Sequence, residues 1–70
     1  MKVYLVVTAK DLHSVTWASL NQEKAQKICL RACEKLEPHA VVTENWFDLP
    51  WKTRIELRKN FPKELARIYE

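Results

Sequence analysis

Two cysteines and two histidines are the residues of this chain best suited to metal or thiol chemistry. Cys29 and Cys33 stand four positions apart, a step that places two side chains on one face of a helix. With His13 and His39 they make four possible soft-metal ligands, but the C-x₂-C spacing of zinc sites is missing. We therefore expect no metal and no cofactor, and two free cysteines that pack as small hydrophobic residues at the edge of an apolar helix face.

Catalysis by either cysteine would require a group that stabilises its thiolate, such as a helix N-terminus or a nearby cation. Both cysteines fall in the middle of the predicted helix instead. The chain contains no glycine, which excludes glycine-dependent phosphate loops and dinucleotide turns. No serine, histidine and aspartate order or carboxylate pair points to catalysis either, so we predict a protein that is not an enzyme.

Four basic residues follow one another at steps of three, four and four positions. This spacing predicts a basic stripe along one side of a helix, in which neighbouring like charges repel by about 0.2–0.5 kcal/mol per pair. An acidic partner would relieve that repulsion, whereas a plain solvated face, with long stems that shield the edge of the core, is the alternative. The stripe consists of Lys24, Lys27, Arg31 and Lys35.

Three tryptophans are many for a chain of 70 residues, because a small core has little room to enclose them. A tryptophan buries about 150–250 Å², so we expect at least one to stay partly exposed. Tryptophan is enriched in interface hot spots, and Trp46 and Trp51 are the predicted contacts for a partner or for a second copy of the chain. The alternative is that the C-terminal helix folds back and buries both.

Length and composition limit the fold that must position these residues. The chain is 47% hydrophobic and 30% charged, which is typical of a globular protein. We predict one domain over residues 1–70, in which a β-β-α-β unit (1–49) precedes a C-terminal helical extension (50–70). A core of this size supplies little net stability, so a disulfide, a metal or a partner chain often assists.

The predicted class is α+β, in the order β-β-α-β-α, with a sheet of about three strands covered by one amphipathic helix. The stretch Lys2–Thr8 is apolar on both faces, as in a central strand covered on both sides. Val15, Trp17 and Leu20 alternate with polar or small residues in a shorter second strand. The third strand is predicted over Ala40–Phe47, beside the first.

The first helix is predicted from a capping box and a helical period. Ser19 precedes Gln22 by three residues, the spacing of a capping box. Pro38 has no amide hydrogen and ends the helix near Leu36. Its apolar face consists of Ala25, Ile28, Cys29, Ala32, Cys33 and Leu36.

A second helix is predicted to run to Asn60, with Asp48 as its cap and Pro50 in its first turn. Pro62 then starts a separate final turn or two. One side of the helix carries Trp51, Ile55 and Arg58, and the final turns carry Phe61, Leu65, Ile68 and Tyr69.

Charge and hydropathy predict a cytoplasmic protein. No stretch is long enough to cross a membrane, and the apolar run after Met1 is too short for a signal peptide. The cysteines are then expected to remain reduced. A formal net charge of +3 suits an acidic partner.

Three segments show a familiar pattern: K-V-Y-L-V-V, then W-A-S-L before the first helix, then V-V-T-E-N-W-F-D-L. Between Lys2 and Leu49 the chain resembles small β-β-α-β accessory proteins of phage and bacterial genomes. The resemblance implies a protein that binds and blocks or redirects a host or rival macromolecule, in the host cytoplasm if phage-encoded. It assigns no catalytic or binding residue.

Three hypotheses for function follow. The first is a protein-binding module, such as an inhibitor, that meets an acidic protein surface through the basic stripe and through Trp46 and Trp51, with a homodimer as a further option. The second is a nucleic-acid-binding regulator that uses the same stripe on phosphates. The third is a metal or thiol module built on the cysteines.

Overall fold

The chain forms a three-stranded antiparallel sheet with helical segments on both faces. The computed structural model describes residues 1–35 and 38–68, without the side chains of residues 11–13. The α+β class and the order β-β-α-β-α are confirmed. The elements are β1 (Lys2–Thr8), β2 (Asp11–Ser19), α1 (Gln22–Lys35), β3 (His39–Asn45), a 3₁₀ turn (Trp46–Asp48) and α2 (Trp51–Asn60).

Strand β1 is the centre of the sheet. The strand order is β2-β1-β3, and β1 is antiparallel to both neighbours. Val3, Leu5, Val6 and Val7 are all buried. Because successive side chains of a strand point to opposite faces, this burial confirms that both faces of β1 are covered.

Two different layers cover the two faces. Val3, Leu5 and Val7 define one face, which we call the C-terminal face because it packs against residues from the C-terminal third of the chain. Val6 points the other way, and α1 contacts all three strands. Helix α1 therefore covers the face of Val6, with Ala25 buried beneath it.

The C-terminal third of the chain contributes large side chains to the core. After α2, residues 62–67 form turns, in which Leu65 N–H donates to the Phe61 carbonyl at 3.1 Å and Ile68 N–H to the Leu65 carbonyl at 3.1 Å. These are the separate turns that the sequence predicts. Tyr69, which was predicted to belong to them, lies outside the described residues. The buried residues from this third of the chain are Trp46, Leu57, Leu65 and Ile68.

The end of β3 differs from the prediction. The strand stops at Asn45, not Phe47, because the Asn45 side chain accepts a hydrogen bond from Phe47 N–H at 3.2 Å and starts the 3₁₀ turn. Asp48 lies inside that turn and does not cap α2. Helix α2 begins at Trp51 after Pro50, without a side-chain cap.

The start of α1 also differs. Asn21, not Ser19, caps the helix, since its Oδ1 accepts from Lys24 N–H at 3.2 Å. Ser19 is the buried last residue of β2, and its hydroxyl accepts from Asn21 N–H at 3.0 Å. The helix runs to Lys35, in line with the predicted end near Leu36, a residue outside the described part of the chain.

Helix α2 does not pack on the side that the sequence pattern groups together. Trp51 and Ile55 are exposed, and so is Arg58, whereas Leu57 is buried. Leu57 follows Ile55 by two residues and so lies about 200° away around the helix axis. The tertiary contact of one leucine sets the rotation of α2, because its apolar residues do not form a continuous stripe.

Candidate functional site: a basic surface on helix α1

The four residues of the basic stripe lie exposed along one side of α1. Lys24, Lys27, Arg31 and Lys35 are all exposed, and Ala25 is buried on the inner side. An α-helix turns about 100° per residue, so their spacing keeps them within about 80° of one another. The helical period of the sequence therefore places the four cations on one strip of surface.

The charges of this stripe are not neutralised within the described structure. Among residues 1–35 and 38–68, none forms an ion pair with any of the four side chains. Glu23 and Glu34 are the acidic residues of the helix, and both are exposed. Within that part of the chain, the stripe is a row of exposed cations without ion pairs.

Tertiary structure adds two more cations at the start of α1. Lys63 and Arg67, from the turns after α2, line a cleft of about 500 Å³ together with Lys24. Glu64 is the acidic residue of the same cleft. No sequence spacing links Lys63 to Lys24; they line the same cleft because Leu65, buried in the core, holds the turns that carry exposed Lys63 and Arg67. We call these two residues and the four of the stripe the basic surface.

An exposed leucine lies beside the stripe. Leu30 is 65% exposed, the same fraction as the most exposed tryptophan, and follows Lys27 by one helical turn. The sequence contained a signal for it, since Leu30 falls outside the helical period of the predicted apolar face. A large apolar side chain beside Lys27 provides a contact that the charges alone do not.

Trp46 is not a surface residue, so its prediction as a partner contact is wrong. Its side chain is 0% exposed and belongs to the core. Trp46 N–H donates to the Met1 carbonyl at 2.8 Å, which continues the β1–β3 ladder by one residue. Since alternate strand residues share a face, this pairing directs Trp46 to the same face as Val42, and Phe47 outward.

Trp51 is 65% exposed, which confirms that one tryptophan stays at the surface. It does not lie beside the stripe. The neighbouring Pro50 and Thr53 line a groove with Leu5 and Val7, on the C-terminal face of the sheet. The predicted contact residues therefore belong to two layers on opposite sides of the sheet, and a flat partner surface meets only one of them.

The cysteines differ from each other. Cys29 is half-buried, but Cys33 is exposed, so the prediction that both pack as apolar residues is wrong for Cys33. The Cys33 thiol donates to the His39 carbonyl at 3.4 Å and accepts from His39 N–H at 3.3 Å. Its side chain therefore fastens α1 to the start of β3, a contact that sequence spacing does not reveal.

Partial burial raises the pKa of Cys29, and the hydrogen bond and charge of neighbouring Cys33 raise it further. A raised pKa keeps the thiol protonated and disfavours both thiolate chemistry and metal binding. The described residues contain no group of three or more potential metal ligands. The side chain of His13, the fourth ligand considered, lies outside the described residues.

Comparison of the chain with models of protein families, with curated proteins and with solved structures gives no match. None of the described helices is both long and apolar enough to cross a membrane. The basic surface, with its exposed leucine, is the candidate site that the geometry of the described residues supports best.

Proposed function

We propose that this protein is a non-enzymatic binding module that meets an acidic protein surface through the basic surface of α1. One observation carries the proposal: four successive cations on one side of a helix are exposed and unpaired among the described residues, beside an exposed leucine. Complementary charge speeds and orients association, while a desolvated apolar anchor supplies affinity.

The position of the apolar groups favours a protein over a nucleic acid as the partner. Single-stranded nucleic acids bind where aromatic side chains stack on bases next to a basic groove. Trp51 lies in the opposite layer of the fold, and the apolar neighbour of the stripe is Leu30. An exposed leucine beside Lys27 fits an apolar pocket in an acidic protein surface better than it fits bases.

The proposed mode of action is that of an inhibitor or modulator. A module without catalytic residues changes its target by occupying a surface that another molecule needs. This is the class of role implied by the resemblance to phage and bacterial accessory proteins. On this proposal the acidic patch of the target is itself a functional surface, one that normally meets another basic ligand.

Charge reversal on α1 tests the proposal against a matched control on α2. The double variant Lys27→Glu/Arg31→Glu removes the centre of the stripe, and Lys52→Glu/Lys59→Glu makes the same change in net charge at two exposed residues of α2. Wild-type and both variants serve as bait in a bacterial lysate. We expect wild-type and the α2 variant to retain the same protein and the α1 variant to lose it.

Leu30→Ala and nuclease treatment sharpen the outcome. Leu30→Ala is expected to lower the affinity for the captured protein about tenfold or more. This corresponds to a contribution of about 1.4 kcal/mol from the leucine as a hot spot. Equal capture by all baits would overturn the proposal. Loss of capture after nuclease treatment, with an affinity that falls steeply with salt, would replace it by nucleic-acid binding.

A further inference from the structure

Strand β3 lies at the outer edge of the sheet and has main-chain groups to which no residue among 1–35 and 38–68 bonds. Hydrogen bonds at both ends of the ladder show which residues face β1: Trp46 N–H donates to the Met1 carbonyl and Ala9 N–H to the Pro38 carbonyl, each at 2.8 Å. Main-chain groups of an antiparallel strand alternate between its two sides. The even-numbered residues of β3 therefore bond to β1, and the odd-numbered residues turn their N–H and carbonyl groups outward.

Both ends of this outer edge are closed. His39 exchanges its outward N–H and carbonyl with the Cys33 thiol. Asn45 is the N-cap of the 3₁₀ turn, where the chain leaves the sheet. Val41 and Thr43 remain between them, and no residue of the described chain bonds to their outward main-chain groups.

The two edges of the sheet are not equivalent. The β1–β2 register shifts between Val6 and Val7 and again between Val7 and Thr8, and such bulges discourage further pairing at the edge of β2. The β1–β3 register is continuous from Lys2 to Thr8. The edge of β3 has no bulge, and its one acidic residue, Glu44, turns its main-chain groups toward β1. Neither a proline nor a charged residue lies between His39 and Thr43, so the outward groups of Val41 and Thr43 lack the usual protection of an edge strand.

An apolar groove reaches the same edge. Its volume is about 400 Å³, it lies on the C-terminal face, and Val42 of β3 forms part of its lining beside Leu5, Val7 and Val15. Val42 is only half-buried. A strand added to β3 would therefore extend the groove and cover Val42 as well as satisfy the main chain.

We propose that two copies of this chain pair antiparallel along β3, with the twofold axis at Val42. This register joins Val41 of each copy to Thr43 of the other and forms four main-chain hydrogen bonds from groups to which no described residue bonds. It brings the two Val42 side chains together, so the two apolar grooves meet across the axis. The two three-stranded sheets become one sheet of six strands.

The register is self-complementary in charge. Glu44 of one copy lies opposite Ala40 of the other, so the two carboxylates do not face each other. A register shifted toward His39 needs main-chain groups that Cys33 already occupies. A second copy would also add stability, since a domain of this size buries a smaller share of its surface than a larger domain does.

The main test is the oligomeric state of the full chain and of two variants of Thr43. Thr43→Pro removes one outward N–H while the bonds to β1 remain, and Thr43→Val keeps that N–H with a side chain of similar size. By sedimentation equilibrium we expect twice the 8.3 kDa mass of one chain for wild-type and Thr43→Val, and a monomer for Thr43→Pro. A monomeric wild-type, or a Thr43→Pro dimer as tight as wild-type, would refute the pairing.

Cross-linking tests the register even if Thr43→Pro does not fold. The two copies of Val42 form a non-hydrogen-bonded pair with Cα atoms about 4.5 Å apart, a distance that permits a disulfide. Val42→Cys is expected to form a covalent dimer on mild oxidation, with the 42–42 linkage identified by peptide mass spectrometry. Glu44→Cys is the control on the same face, because its two copies lie about 13 Å apart in this register. A link at 44 and none at 42 would contradict the proposal.

Discussion

The two faces of the sheet are covered by layers of different composition. The C-terminal face packs against large buried side chains, among them Trp46, Leu65 and Ile68. The other face lies under α1, where the one buried helical residue is Ala25 and the outer side carries the basic stripe. The comparison indicates that the C-terminal segment contributes mainly to the core, whereas α1 contributes mainly exposed, charged surface.

Two of the three tryptophans, Trp46 and Trp51, contrast a buried with an exposed position inside the C-terminal layer, and exchanging each for alanine tests that contrast. Trp46→Ala is expected to lower the free energy of unfolding by about 3–5 kcal/mol, because it leaves a large cavity in the core. Trp51→Ala should change it by no more than about 0.5 kcal/mol. Urea denaturation of both variants measures the contrast, and similar losses for the two would show that Trp51 also packs.

Two leucines compare the two layers with each other. Leu65, at 2% exposure, anchors the turns after α2, and Leu65→Ala should cost about 2–5 kcal/mol. Leu30 lies outside on α1, and Leu30→Ala should stay within about 0.5 kcal/mol of wild-type while it weakens partner capture. Thermal unfolding by circular dichroism separates them; a stable Leu65→Ala variant would mean that the C-terminal turns are dispensable.

Caps at the joints between the layers should give smaller effects. Asn21→Ala removes the side chain that accepts from Lys24 N–H and is expected to cost about 1 kcal/mol. Asp48→Ala should be nearly neutral, within about 0.5 kcal/mol, because Asp48 caps no helix. Chemical denaturation of the two variants tests these caps. A larger loss of stability for Asp48→Ala than for Asn21→Ala would favour the caps predicted from the sequence.

The smallest expected effect is a difference in reactivity between the two thiols of α1, the half-buried Cys29 and the exposed Cys33. Cys33 is exposed, whereas partial burial raises the pKa of Cys29, so iodoacetamide should label Cys33 first at neutral pH. The thiol form of Cys29 is favoured by folding, so its contribution to stability is present below the unfolded pKa and is lost as the pH rises through the higher folded pKa. Peptide mapping over alkaline pH follows both sites, and equal labelling would contradict the difference in environment.

Local patterns were sufficient to predict the elements of this fold. The run from Lys2 to Thr8 predicted a strand covered on both faces, because apolar side chains at successive positions of a strand need two apolar layers. Steps of three and four residues predicted α1 and its stripe, because these steps match the turn of a helix. Pro38 and Pro62 predicted chain breaks for steric reasons that do not depend on the rest of the molecule.

Details that depend on competition between neighbours were predicted less well. Ser19 and Asn21 are both good caps, and the capping role passed to Asn21 because β2 buries Ser19. The sequence pattern predicted Trp46 and Trp51 alike as contact residues, but the ladder contact with Met1 turns Trp46 inward. The local sequence does not show which of two similar residues will be buried against a neighbouring strand or helix.

Periodicity and chain stiffness, which act over a few residues, were enough to specify the central strand, the helix and the row of cations. Tertiary packing was needed to bring Lys63 and Arg67 to Lys24, to separate Trp51 from the stripe and to leave the edge of β3 open. These features depend on contacts between residues far apart in the chain. Such contacts form only when burial of apolar surface outweighs the entropy lost on closing the loops between them, a balance that no short window of sequence contains.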